Sequence, residues 1–161
     1  MGIAITVSNY LDNHDVAYDV LTHPHTMTSS ESAQASHVPG GRLAKSVVLE
    51  DEDGYVMVVV PSDKRVDLGE LQRLLHRRLG LATEGELGQL FADCEIGALP
   101  PIGPAYGIET LVDDAIAEQS DIYFEAGDHE QLIHVSNEGF IALMGERIRH
   151  GHFTVTSNKR G

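Results

Sequence analysis

Two valine-rich apolar runs, residues 43–50 and 55–60, flank the acidic segment Asp51-Glu52-Asp53-Gly54, and this pair constrains the fold more than any other feature of the chain. Strand-forming residues on both sides of a short, glycine-containing return predict a β-hairpin. Within the first run, Arg42-Leu43-Ala44-Lys45-Ser46-Val47-Val48-Leu49, a single lysine interrupts the apolar pattern. An ammonium placed where a strand enters a core is costly unless something negative uses it. The plainer reading of Lys45 is a side chain that snorkels its head to water.

The rest of the chain supplies further strands and short helices. Residues 3–14 place Ile3, Val7, Tyr10, Leu11 and His14 on one helical stripe. A short strand over 17–21 is broken by Thr22-His23-Pro24-His25, and Ser29 or Ser30 caps a helix through Ser36 that Val38-Pro39-Gly40-Gly41 ends. Asp67 with Glu70 predicts a capped helix over 68–79 closed by Gly80; Thr83 with Glu86 predicts another through Phe91. Strands follow near 108–112, at 121–125 and at 131–135, and Ser136 caps a last helix carrying Phe140, Leu143 and Met144. Many strands with short returns and few βαβ intervals predict an α/β (α+β) domain: a mixed, largely antiparallel, barrel-like sheet surrounded by helices. Residues 1–148 read as this single domain, and 149–161 as a polar, flexible tail.

Composition excludes several function classes. With 161 residues the chain is one domain with a real core, and no apolar run approaches the roughly 20 residues that span a bilayer. One cysteine, Cys94, permits no internal disulfide, and this suits a reducing cytoplasm. A formal net charge of -14 argues against DNA and against broad binding along any nucleic-acid backbone. Five of the eleven basic residues, Lys64, Arg65, Arg73, Arg77 and Arg78, nevertheless cluster. They read either as a solvated helix face or as a small cationic patch able to grip one end of an RNA.

Candidate chemistry is spread over three places. The stiff loop Gly97-Ala98-Leu99-Pro100-Pro101-Ile102-Gly103-Pro104 is either a structural turn or a cradle whose backbone N–H groups hold a carbonyl or carboxylate. Gly127-Asp128-His129, between two strands, is either an exposed hairpin tip or, if it folds over Lys45, a place for histidine to bind phosphate or orient a water. His23, His25, His37, His134, His150 and His152 do not reach a metal-ligand spacing, and neither a nucleophile elbow, a Walker pattern nor a dinucleotide fingerprint occurs, so no metal or cofactor is expected.

Three segments together are similar to one family. Thr22-His23-Pro24 through Glu31-Ser32-Ala33 to Leu43-Ala44-Lys45-Ser46-Val47-Val48 resembles the front half of the bacterial YbaK-type aminoacyl-tRNA deacylases, which include the editing domain of prolyl-tRNA synthetase and its freestanding relatives. Asp93-Cys94-Glu95-Ile96-Gly97-Ala98-Leu99-Pro100-Pro101 resembles the G-x-x-x-P loop, and Gly127-Asp128-His129 the G-x-H element, over roughly residues 17–144. The resemblance implies a freestanding cytoplasmic hydrolase that removes a small amino acid from a mischarged tRNA such as tRNA(Pro). The partners it implies are the tRNA acceptor end and prolyl-tRNA synthetase. It makes Lys45 and His129 the catalytic candidates, with Gly97, Ala98, Leu99, Pro100, Pro101 and Gly127 lining the substrate pocket. Ser46 stands where threonine is more usual, and the acidity suggests that only the acceptor end is touched. The alternatives are a non-catalytic module that binds tRNA or a synthetase with the same pocket, and a hydrolase built on metal-bound histidines.

Overall fold

The predicted hairpin lies in the middle of the sheet. A computed structural model describes residues 3–95, 97–145 and 148–156. Its first half runs α1 (Ile5–Asn13), β1 (Asp19–Thr22), α2 (Ser29–Ala35), β2 (Leu43–Asp51), β3 (Gly54–Pro61), β4 (Lys64–Val66), α3 (Leu68–Leu75), β5 (Gly80–Leu81) and α4 (Glu84–Leu90). The second half runs β6 (Glu109–Asp113), α5 (Asp114–Ala117), β7 (Asp121–Glu125), β8 (Gln131–Ser136), α6 (Asn137–Met144), β9 (Arg149–Gly151) and β10 (Thr154–Thr156). β2 and β3 pair antiparallel from Ala44–Pro61 to Asp51–Gly54. Asp51 Oδ1 accepts the N–H groups of Asp53 and Gly54, which closes the return.

One sheet carries the order β1-β8-β7-β2-β3-β6-β9, with β5 joined to β2; β4 and β10 form a separate antiparallel pair. β1–β8, β7–β8, β2–β3 and β2–β5 are antiparallel. β2–β7, β3–β6 and β6–β9 are parallel. The sheet is therefore mixed and mostly antiparallel, as the sequence predicts. β3 is buried on both faces, and its alternation divides the core. Met57 and Val59 join Phe91, Leu99, Phe124 and Phe140 on one side. Val56, Val58 and Val60 join Leu49, Leu71 and Leu75 on the other. No helix among the described residues is long and apolar enough to cross a membrane.

Most helix ends follow their capping residues. Asp67, Thr83 and Ser136 each accept the N–H of the third residue on, and Thr83 with Glu86 completes a capping box. Two ends differ from expectation. Thr28, not Ser29 or Ser30, caps α2. α3 stops at Leu75 rather than 79, because His76 takes the left-handed conformation (φ 56°). That early stop lets Gln72 Oε1 accept the N–H of Leu79, and it frees Gly80 and Leu81 to pair with Glu50 and Leu49 of β2.

The expected loose tail from Arg149 is corrected. Residues 149–151 pair with β6, and 154–156 pair with β4. One aromatic and one carboxylate explain the difference, since a short polar stretch has no strand signal of its own. Phe153 is buried against α3 and β3. Buried Asp113 accepts the Phe153 N–H at 2.9 Å and the Thr154 hydroxyl at 3.3 Å. The remainder of the expected tail, 157–161, lies outside the described residues. Removing this anchor should be expensive: Phe153→Ala is expected to lower stability by about 3–5 kcal/mol in urea unfolding. A loss below about 1 kcal/mol would show that the last strands do not support the domain.

Candidate functional site

The β7–β8 return is not an exposed tip. Residues 124–129 are all buried. Asp128 Oδ1 accepts the N–H groups of Glu130 and Gln131, both at 3.0 Å, which folds the return back on itself. Gly127 (φ 108°) packs so closely that a Cβ there would stand 3.1 Å from Ala4 Cβ and 3.2 Å from Cys94 Sγ. Its carbonyl accepts the Glu95 N–H at 2.8 Å. The G-x-H element is thus clamped between the chain's first residues and the segment that leads into the Gly/Pro loop.

The loop and the histidine meet. Gly97 adopts φ 90°, and a Cβ on it would lie 2.9 Å from the Met27 carbonyl oxygen and 3.0 Å from His129 Nε2. Only glycine accepts both that conformation and that approach. Gly97 is exposed, whereas 98–103 are buried, so the loop is a wall with Gly97 at its lip. Its amides offer less than the sequence promises. The Ala98 N–H is donated to the Glu95 carbonyl, and Pro100 and Pro101 have no N–H, which leaves, among the described residues, those of Gly97 and Leu99.

A buried acid completes the cluster, and sequence reasoning missed it. Glu125, the last residue of β7, is 1% exposed. Its Oε2 accepts the Ser32 hydroxyl at 2.7 Å and lies 3.6 Å from His129 Nδ1. Ser32 Oγ is 2.6 Å from Thr26 Oγ1, and the Thr26 N–H donates to the His129 carbonyl at 3.2 Å. The His25 ring lies edge-on to that of His129, with centroids 5.7 Å apart, and its Nε2 is 3.0 Å from Glu95 Oε1. That carboxylate raises the His25 pKa. Burial pushes the Glu125 carboxyl up to about 7, against the Ser32 hydrogen bond and His129, which lower it. One signal was available: Glu125 ends the strand Asp121-Ile122-Tyr123-Phe124-Glu125, the same anomaly that drew attention to Lys45.

Lys45 does not line this cluster; it lies beside the β2 residue that anchors the loop. Its neighbour Ser46 donates to the Leu99 carbonyl at 3.1 Å, joining β2 to the loop. The lysine side chain leaves β2 on the opposite face. There it lines a groove of about 280 Å³ with Val47, Leu49, Arg65, Val66, Leu68 and Leu81. Burial lowers its pKa, and Asp63 opposes this. Among the described residues Lys45 makes no hydrogen bond or ion pair. The structure thus brings Gly97, Gly127 and His129 together directly, and connects Lys45 to them through its strand.

Other candidates are absorbed elsewhere. Asp51 holds Arg77 through two hydrogen bonds of 2.6 and 3.0 Å, and Glu109 holds it at 3.0 Å; Arg73 pairs with Glu70. The guanidinium keeps the Asp51 carboxyl at about 2. Two members of the basic cluster therefore already have acidic partners. Burial pushes the Cys94 thiol up to about 12, which leaves it inert as a nucleophile. No group of three or more His, Cys, Asp or Glu side chains among the described residues is placed to hold a metal ion.

Comparison with known proteins identifies the family and the fold. Residues 23–143 match the model of the aminoacyl-tRNA editing domain. The proline–tRNA ligase of Thermosipho africanus (strain TCF52B) is 30% identical over 115 residues, covering 71% of this chain and 20% of the ligase. That of Leuconostoc citreum (strain KM20) gives 30% over 115 residues, again 71% and 20%. The chain thus spans about a fifth of the length of these curated relatives. A solved structure described as "a putative trans-editing enzyme for prolyl tRNA synthetase" superposes with TM-score 0.77 and 27% identity, over 90% of this chain and 93% of that one. A hypothetical protein at TM-score 0.80 and 21% identity, over 93% and 99%, shares the fold.

Two outcomes test the cluster. Gly97→Ala forces a Cβ into the Met27 carbonyl and the His129 ring at a left-handed φ, and is expected to cost about 1–3 kcal/mol. Urea unfolding measures the cost, and a neutral effect would contradict the close approach. The fold favours the neutral form of Glu125, so that contribution is complete below the ordinary carboxylate value and is lost as pH rises through about 7. The melting-temperature gap between Glu125→Gln and the parent should therefore widen in favour of the variant from about pH 5 to about pH 8. A gap independent of pH would overturn the shift.

Proposed function

The chain belongs to the aminoacyl-tRNA editing domain family, and from that premise we propose that it is a freestanding hydrolase that clears a small amino acid from a mischarged tRNA, with tRNA(Pro) as the leading substrate. The observation that carries the reading is the contact of the G-x-x-x-P glycine with the G-x-H histidine, Gly97 against His129. Two motifs separated in sequence build one small, walled site with a conformation-demanding glycine at its lip. The coverage of 93% of a similar solved chain supports a unit that works by itself, and the ligase relatives support tRNA(Pro). A tRNA substrate places the protein in the cytoplasm, with the acceptor end as its contact and prolyl-tRNA synthetase as a partner.

The chemistry asked of the site is modest. A synthetase pocket discriminates against a missing methylene by only about 1–3 kcal/mol, so smaller amino acids leak through and a second pocket must remove them. Water adds to the ester carbonyl, the tetrahedral intermediate collapses, and the C–O bond to the ribose breaks. The products are the free amino acid and a tRNA with its ribose hydroxyl restored. The Gly97 and Leu99 amides are the available donors for the oxyanion, and one such donor is worth about 10²–10³ in rate. His129 presents Nε2 at the lip, where the attacking water or a ribose hydroxyl is bound. The Lys45 ammonium, half-buried without a hydrogen-bond partner among the described residues, serves the terminal phosphate or the developing negative charge.

A deacylation panel of alanyl-, cysteinyl-, seryl- and prolyl-tRNA(Pro), with binding and hydrolysis measured separately, tests this reading. One small aminoacyl ester should be cleared while correctly charged prolyl-tRNA survives; binding without turnover of any member would favour the non-catalytic alternative. Lys45→Ala should abolish clearance with an unchanged melting profile, and parental rates in that variant would remove Lys45 from the site.

A further inference from the structure

Taking the site as hydrolytic, we propose that Glu125 is the positioning residue for His129, holding the imidazole by Nδ1 so that Nε2 is presented to the substrate at Gly97. Four groups form a closed circuit around the histidine. Its ring nitrogen Nδ1 lies 3.6 Å from Glu125 Oε2, which accepts from Ser32 Oγ at 2.7 Å. Ser32 Oγ is 2.6 Å from Thr26 Oγ1, and the Thr26 backbone N–H returns to the His129 carbonyl at 3.2 Å. Since Ser32 spends its proton on Glu125, Thr26 is the donor in the hydroxyl pair, and the hydroxyl donors lead to the carboxylate that Nδ1 faces from the other side. The circuit grips both the ring and the main chain of a residue already held at a left-handed φ of 58°.

Burial makes this arrangement consequential. Glu125, His129 and Ser32 are each 1% exposed or less, so the carboxylate and the Nδ1 edge that faces it are shielded from bulk solvent. An ionised Glu125 takes the Nδ1 proton as its hydrogen-bond donor, and that choice leaves Nε2 an acceptor. Nε2 is the edge that faces Gly97, where a Cβ would come within 3.0 Å. An acid behind one imidazole nitrogen, with the other facing the reacting centre, is the orienter–base arrangement in general form. The separation of 3.6 Å is long for a hydrogen bond and is of the kind that shortens when substrate arrives. A neutral Glu125 releases this hold.

The polar and titratable groups around Glu125 come from several neighbouring elements, and of these Ser32, His129 and Asp128, together with burial, set its protonation. His129 and Asp128 lie on the β7–β8 return, Ser32 on α2, and Thr26 and His25 on the segment before it, with Glu95 paired to His25. Lys45 is the next residue of β2 beyond its Ala44–Phe124 pairing with β7. Activity governed by this acid should rise through neutral pH as Glu125 ionises, and the inflection should vanish when the acid is replaced.

The experiment combines ring-nitrogen NMR of His129 across pH with steady-state deacylation, on the whole chain. In the parent, the nitrogens should report Nδ1–H above neutrality, with a change tracking a group that titrates near 7. Glu125→Gln presents an amide N–H₂ to Nδ1 and should reverse the tautomer, lower kcat at least about tenfold with little change in KM, and flatten the pH profile. Glu125→Asp should recover part of the rate. Ser32→Ala should shift the inflection upward, because it removes a donor to the ionised acid. Unchanged His129 nitrogen shifts in Glu125→Gln, or a parental rate and pH profile, would overturn the proposal. If Glu125→Gln does not fold, the parent titration and Ser32→Ala decide it: a His129 tautomer blind to the neutral transition refutes it. If the parent clears none of the charged tRNAs, the hydrolytic reading fails, and the nitrogen shifts still decide whether Glu125 orients His129.

Discussion

A parallel pairing two residues long holds the site together: Leu43 with Tyr123, and Ala44 with Phe124. It is the only ladder between the β2–β3 hairpin and the β7–β8 pair among the described residues. Parallel ladders are slightly less stable per residue than antiparallel ones, and this one is anchored by burial of Ala44 and Phe124 in the main core. The next residue of each strand, Lys45 on β2 and Glu125 on β7, stands just past the end of this ladder. Beyond it the strands part. The Gly97–Pro101 loop takes the vacated place beside β2, tied there by Ser46 and Leu99.

The electrostatics follow from this assembly more than from net charge. A chain of charge -14 is a poor polyanion binder as a whole. Arg77 and Arg73 lie in ion pairs with acids on the chain's own surface. Lys45 is different in kind: half-buried, desolvated and opposed only by the field of Asp63. A half-buried cation in so acidic a chain is suited to a local contact with an anion and not to binding along a backbone.

How much was legible depended on whether a residue's signal was local. The β2–β3 hairpin, the Thr83–Glu86 capping box and the Ser136 cap rest on neighbours within a few positions, and they stand where the sequence predicts. The candidates Gly97, Gly127 and His129 were recoverable because glycine and histidine are conspicuous between strands. Their contact was not, since it depends on two left-handed glycines and on Asp128 folding a return that reads as an open tip. Ser32 and Thr26 carry no signal at all, because hydroxyls on a capped helix and its approach are what any helix start displays. The early end of α3 and the anchored last strands were hidden for a related reason. A left-handed His76 and a Phe153 that needs Asp113 are decided by partners far along the chain.

The lone cysteine has an effect of its own. The Cys94 sulfur lies 3.2 Å from where a Cβ on Gly127 would stand, and its sulfhydryl lies within hydrogen-bond distance of Tyr106 and Asp93. At a pKa of about 12, roughly one molecule in 10⁵ carries a thiolate at neutral pH. Peroxide and electrophiles attack thiolates, so oxidative stress finds almost nothing to react with at a point where one added oxygen would pry the histidine turn from its seat.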